Sequence, residues 1–326
     1  MSKNFGPYTT AEEAASVFAS QIKGKHVLIT GCTWGGLGSE TARVVAKYGA
    51  ALVVLAGRSQ GSIDTTIANI KQETPTANLR SVILDLASLE SVRQAAAEVN
   101  AYEEPIDVLI NNAAVMASEY FQTQDGFEGQ FGCNHLGHFV FTNLILSKML
   151  ESTTGEPRVV NVASSGHHFA PIMFDDPAFS EGKTYKKWVA YGQSKTANIL
   201  FAKELSNRYN NKGLLAYSLH PGSIDTNLQR HIDRDVEMKA GMLDFQGNSI
   251  ITPQFKSFLY RKTVEQGAST TVVAAFDPSI KEQSGLFLNN AQVDVSSVKS
   301  WALDDDAAQR LWSLSEDMVG QKFPLA

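Results

Sequence analysis

His26-Val27-Leu28-Ile29-Thr30, then Gly31-Cys32-Thr33-Trp34-Gly35-Gly36-Leu37-Gly38, then a helical pattern over residues 39–48: an apolar run, a glycine-rich turn and a helix follow one another directly. The run is short and nearly continuous in apolar residues, as a strand buried on both faces would be. A glycine-rich turn at such a junction lets backbone amides and the helix N-terminus approach a pyrophosphate. The stretch therefore predicts a β-α unit built to hold a dinucleotide.

Working outward, the same alternation recurs. Apolar runs at 51–56, 81–84, 106–110, 158–162, 214–219 and 285–288 read as further strands. Helical spacing covers 63–72, 89–99, 132–150, the stretch around Tyr191 and 264–275. Seven strands alternating with helices predict one α/β domain, a Rossmann-type doubly wound parallel seven-stranded sheet over residues 23–326. Its ligands are expected at the carboxyl ends of the strands. Residues 1–22 read as an N-terminal helical extension, with Thr10-Ala11-Glu12-Glu13 forming a capping signal.

The bulk properties exclude several roles. The 326-residue chain has a formal net charge of -6 and no basic block, which argues against a nucleic-acid partner. No apolar run approaches the length that spans a bilayer, and the N-terminus lacks the pattern of a secretory signal. Its two cysteines, Cys32 and Cys133, fit a reducing compartment better than a disulfide framework, so a cytoplasmic location is expected.

At the end of the second strand an acidic residue would bind an adenosine 2′-hydroxyl, whereas an arginine suits a 2′-phosphate. The sequence there is Ala56-Gly57-Arg58-Ser59. Arg58, with Ser59 as a further donor, predicts NADP(H) over NAD(H). Further along, Tyr191-Gly192-Gln193-Ser194-Lys195 places a phenol and an ammonium on neighbouring turns of one helix face. The ammonium favours phenolate, giving a candidate general acid or base. Alone the spacing means little, since Lys183 and Tyr185 lie nearby; its context decides.

Taken in order, the motifs resemble the short-chain dehydrogenase/reductase family, classical type, in its retinol-dehydrogenase-like branch. The resemblance runs from about Lys25 to the end of the chain. It includes the glycine turn, Asp85-Leu86, Asn111-Asn112-Ala113-Ala114, Asn134, Ser164, the Tyr191/Lys195 pair, and His220-Pro221-Gly222 with Thr226 beyond. It implies that Gly31, Thr33, Gly36, Leu37 and Gly38 hold the pyrophosphate, that Asp85 beside Leu86 binds the adenine amino group, and that Asn111, Asn112 and Ala113 line the cleft. Tyr191 would exchange a proton with the substrate oxygen, and Ser164 would polarise that oxygen. Lys195 would bind the nicotinamide ribose and lower the Tyr191 pKa, while Asn134 would anchor a relay water. Pro221, Gly222 and Thr226 would hold the carboxamide. Two departures leave alternatives open. Four residues rather than three separate Gly31 from Gly36, so either the turn carries an extra residue or Gly35 takes the second glycine's place. Ser164 and Ser165 are adjacent; spacing from Asn161 selects Ser164.

Seven histidines supply no set of metal ligands at familiar spacing, so no metal is expected. His135 and His138 read as packed or hydrogen-bonded in their helix, His167 and His168 as flanking the substrate mouth, and Cys133 as a buried free thiol. Segments 166–190 and 227–260 carry Phe169, Met173, Phe174, Phe179, Tyr185 and Trp188, then Met238, Met242, Leu243, Phe245 and Phe255. In the family these regions flank or cover the substrate, which predicts an apolar pocket for a bulky hydrophobic carbonyl or alcohol; the alternative is that these residues pack the loops onto the core or form a subunit contact. The expected activity is an NADPH-dependent carbonyl reductase, reversible as an alcohol dehydrogenase. Competing readings are a nucleotide-binding regulator or scaffold, and imine reduction or epimerisation on the same fold. Homo-oligomers are common in the family, so a second copy is a candidate partner.

Overall fold

The computed structural model describes residues 5–152, 155–224, 226, 228, 243–250 and 261–324. Ten strands are found among them: β1 (His26–Thr30), β2 (Leu52–Gly57), β3 (Leu79–Ile83), β4 (Val108–Asn111), β5 (Arg158–Val162), β6 (Leu215–His220), β7 (Ser223–Ile224), β8 (Arg261–Lys262), β9 (Phe287–Asn289) and β10 (Gln292–Val293). The seven strands expected from the apolar runs all join one sheet, in the order β3-β2-β1-β4-β5-β6-β9, and every neighbouring pair is parallel. An eighth strand, β10, adds antiparallel to β9 at the edge. It is too short to register as an apolar run. β7 and β8 form a separate parallel ladder beyond the carboxyl end of β6.

Side chains alternate across the sheet because successive Cβ atoms point to opposite faces. Val27, Ile29, Val53 and Leu55 face one layer, packed with α1 (Ala11–Val17), α2 (Leu37–Lys47), α3 (Gln60–Glu73) and α7 (Val264–Phe276). Leu28, Leu52 and Val54 face the other, packed with α4 (Leu89–Asn100), α5 (Gly137–Leu150), α6 (Lys187–Tyr209) and α8 (Asp305–Val319). Each fully buried Leu, Val or Phe contributes about 1.5–3 kcal/mol, so two complete layers fix the strand order. Thr10 and Glu13 form the expected capping box on α1. Ala11, Ala14 and Ala15 of α1, with Phe18 and Ile22 beyond it, lie in the same apolar layer as α7, so this segment is built into the domain.

Helix α8 was not expected from the sequence. Asp304 caps its start by accepting from the Asp306 and Ala307 amides, and Gly320 at φ 65° ends it. Its Trp312 stands edge-on to Phe139 of α5 at 5.0 Å and lies under the Arg208 guanidinium of α6. His135 meets Ser315 at 2.7 Å. Burial pushes the His135 imidazole down to about 3, so it is neutral and packed, as expected.

Candidate active site

The sheet order reverses at β1, which pairs with β2 on one side and β4 on the other. A crevice at such a switch point is the usual ligand position in open α/β sheets. Gly31, directly after β1, has φ 74°, and a Cβ there would lie 2.8 Å from the Ala113 Cα after β4. A Cβ on Gly38 would lie 2.6 Å from the Gly31 carbonyl oxygen. Only glycine allows either approach.

The extra residue in the turn has a definite place. The Gly36 amide donates to the Thr33 carbonyl at 3.1 Å, with Gly35 at φ 82° in the third position of that turn. Gly36 is the N-cap of α2, and its amide also meets Ser39 Oγ. Leu37 and Gly38 then open the helix, where amides have no preceding carbonyl to bond. This cradle fits a pyrophosphate. Asn112 secures it: its amide group donates to the Thr30 and Gly31 carbonyls, at 2.8 and 3.2 Å. Asn111 instead turns away from the cleft, bonding Thr142 and Asn161 inside the layer.

Arg58 is exposed just past β2, and Ser59 caps α3 by accepting from the Ser62 amide. Asp85, half-buried after β3, accepts from the Ala87 amide through Oδ1, and Leu86 is buried beside it. Pro221 and Gly222 follow β6, Gly222 at φ 107°. Thr226 Oγ1 accepts from the Leu228 amide.

Tyr191, Ser194 and Lys195 lie on α6, all buried. Two glycines bring the Ser164 turn against this helix. A Cβ on Gly166 would lie 2.6 Å from Tyr191 Cε1, and one on Gly192 would lie 2.6 Å from Phe169 Cβ. Ser164 Oγ accepts from the Gly166 amide at 3.0 Å, leaving its own proton free to be donated. Burial raises the Tyr191 phenol to about 12, opposed by the hydrogen bond with Ser164. Burial also lowers the Lys195 ammonium to about 7. Lys195 Nζ donates to the Val162 carbonyl at 3.0 Å and stands 5.7 Å from the Tyr191 ring centre. The expected depression of the tyrosine pKa by the lysine is therefore outweighed here by desolvation of both groups.

Asn134 sits in a π-helical turn, Gly132–Leu136, just before α5, an irregularity common at functional sites. Its side chain accepts from the Val115 amide and donates to the Val115 carbonyl and to Ser194 Oγ. The side chain is thus committed to protein partners, so a water at Asn134 would have to use the main-chain carbonyl. His138 Nδ1 bonds that carbonyl at 3.1 Å, which fixes the proton on Nδ1. Nε2 then accepts from Thr30 Oγ1, which itself accepts from the Asn112 and Ala113 amides. His138 is hydrogen-bonded in its helix, as one of the two readings expected, and its second bond joins the glycine turn to the Asn134 turn. Its position four residues after Asn134 on one helix was the available signal.

His167 and His168 are buried rather than at a mouth. His167 bonds the Ser164 carbonyl at 2.7 Å, and His168 bonds the Ser297 carbonyl. Phe169 stacks on Trp188 at 5.3 Å, Trp188 stands edge-on to Tyr191 at 6.2 Å, and Phe245 stands edge-on to Trp301. Leu243 is exposed, while Met238, Met242 and Phe255 lie outside the described residues. Cys32 and Cys133 are both free and buried, and no group of three metal-ligating side chains occurs among the described residues.

Residues 25–175 match the family model for short chain dehydrogenases. The chain is also 37% identical over 299 residues to retinol dehydrogenase 13 of Mus musculus, covering 92% of this chain and 85% of that one. The chain belongs to the short-chain dehydrogenase family. Short-chain dehydrogenase TIC 32 A, chloroplastic, of Brassica napus is 35% identical, with 97% and 94% of the two chains covered. A crystal structure of a putative uncharacterized protein from Mycobacterium Paratuberculosis has a TM-score of 0.70 and 32% identity, covering 93% and 96%. Within the short-chain dehydrogenase frame, Ser164 rather than Ser165 faces the tyrosine. Ser165 is tied by its backbone amide to His220 Nδ1. Replacing Ser164 with Ala should lower turnover by about 100- to 1000-fold, as losing one preorganised donor does. Ser165→Ala should stay near wild type. Steady-state rates of the two variants compare them directly, and the reverse ranking would move the role to Ser165.

Proposed function

We propose that the chain is an NADP(H)-dependent carbonyl reductase acting on a bulky hydrophobic ketone or aldehyde, with the reverse alcohol oxidation available. The observation that carries this reading is the Tyr191 hydroxyl facing Ser164, with Lys195 one helical turn further, the tyrosine and lysine buried and the serine half-buried. When bound, the nicotinamide supplies or accepts the hydride. Tyr191 donates the proton to the substrate oxygen, and at a pKa of about 12 it carries that proton at neutral pH. Ser164 Oγ donates to the same oxygen and holds it in line. Lys195, its ammonium lowered by burial to about 7, is placed to replace the proton that Tyr191 gives up.

Arg58 and Ser59 at the start of α3, with no acid at the end of β2, support the NADP(H) preference. The aromatic group of Phe169, Trp188 and Tyr191 supports an apolar substrate, as does the retinol in a relative's name. The two free cysteines support a reducing, cytoplasmic setting. No described helix is long and apolar enough to cross a membrane. The test is NADPH oxidation across a panel of hydrophobic aldehydes and ketones. Arg58→Asp should weaken NADPH binding by about 10- to 100-fold, the worth of hydrogen bonds to a charged group, while leaving NADH nearly unchanged. Equal NADPH affinity in wild type and variant would remove the cofactor assignment.

A further inference from the structure

Among the described residues Lys262 has a buried ammonium with no hydrogen-bond partner, and the residue is only 6% exposed. An uncompensated buried cation is costly and calls for an anion. Its stem crosses the Pro221-Gly222 turn, where a Cβ on Gly222 would lie 2.5 Å from Lys262 Cδ. The ladder partner of Lys262 is Ile224. A Cβ on Gly267 would meet both Ile224 Cδ1 and Leu37 Cδ2 within 2.8 Å, so Ile224 abuts the first residue of α2. The β7–β8 ladder thus bridges the turn assigned to the carboxamide and the helix N-terminus assigned to the pyrophosphate.

We propose that Lys262 is an additional cofactor-binding residue whose ammonium holds the nicotinamide-side phosphate of the dinucleotide. This rests on the dinucleotide reading of the site, but not on the preference for NADP or on the substrate. The carboxamide beside Gly222 is neutral; the phosphate is the anion of the cofactor nearest that end. Burial lowers the lysine to about 8, and no acidic side chain among the described residues opposes this, so the compensating charge comes with the ligand. Gly222 is required because any side chain there would occupy the path of the lysine stem.

The test uses the full chain as wild type, Lys262→Met and Lys262→Gln, titrated calorimetrically with NADPH, NADH and adenosine 2′,5′-bisphosphate, which lacks the nicotinamide-side phosphate. Both variants should bind NADPH and NADH about 30-fold more weakly or worse, and adenosine 2′,5′-bisphosphate as wild type does. The empty Met variant should melt no lower than wild type, because it loses an uncompensated charge. Unchanged dinucleotide affinity in either folded variant overturns the proposal, as does an equal loss for the bisphosphate, which would place Lys262 at the adenosine half. A wild-type chain that binds neither dinucleotide fails the underlying reading and the proposal together.

Discussion

Tyr191→Phe should bind NADPH with wild-type affinity and reduce carbonyls about 100- to 10,000-fold more slowly, the usual contribution of a positioned proton donor. The ring is held by the Gly166 main chain and by Trp188, and phenylalanine keeps those contacts. Only the hydroxyl and its hydrogen bond to Ser164 are lost, so stability should change by about 1 kcal/mol. Turnover and cofactor affinity measured on the same preparation separate chemistry from binding. A variant that keeps a tenth or more of the rate would show that another group delivers the proton, and the reductase mechanism would fail.

Lys195→Met should cost about as much, 100- to 10,000-fold in turnover, but with a different pH signature. Alcohol oxidation by the wild-type enzyme should level off above an apparent pKa belonging to the Lys195–Tyr191 pair. In the variant the rate should keep climbing towards the tyrosine's own high value. A stability effect follows from the same burial. Lysine ordinarily titrates near 10.5 and here near 7, so between those values the unfolded chain holds more protons. The lysine's contribution is present above 10.5 and is lost as pH falls through about 7, so empty wild-type protein should gain stability from pH 7 towards 10. Tyr191 is shifted upward and acts oppositely only between 10 and about 12, outside that window. In Lys195→Met the gain should shrink without vanishing, because Lys262 is lowered in the same direction. Melting temperatures at pH 7, 8 and 9 test this, and an unchanged slope would contradict the buried-lysine assignment.

The strands and the shared helix face of Tyr191 and Lys195 were legible because their signals are local. The run His26–Thr30 holds Val27, Leu28 and Ile29 in unbroken succession, and the Tyr191/Lys195 spacing fixes a shared helix face whatever surrounds it. Helix α8 was locally signalled as well, by Asp304, by Gly320 and by Leu311, Trp312 and Ser315 at helical spacing. The places of Gly35 and Gly36 were not legible, since either glycine could turn the chain; Gly36 becomes the cap only once Ser39 folds back onto it. His167 and His168 were expected at the substrate mouth. They are buried because Ser297, Lys299 and Trp301, more than a hundred residues later, close over them. Lys262 gave no signal at all: a lysine in sequence reads as solvated, and only the Gly222 turn packed on its stem makes it otherwise.

The chain of bonds from Thr30 through His138 to Asn134 and Ser194 has a bearing on how errors propagate. A hydride donor and a proton donor carried on separate elements would each drift by their own amount, and the two errors would add at the reacting carbon. Here the glycine turn and the tyrosine share one line of contacts: Ser194 Oγ donates to the Tyr191 carbonyl at 2.8 Å, so the element proposed to seat the cofactor and the one proposed to deliver the proton are positioned from a common reference.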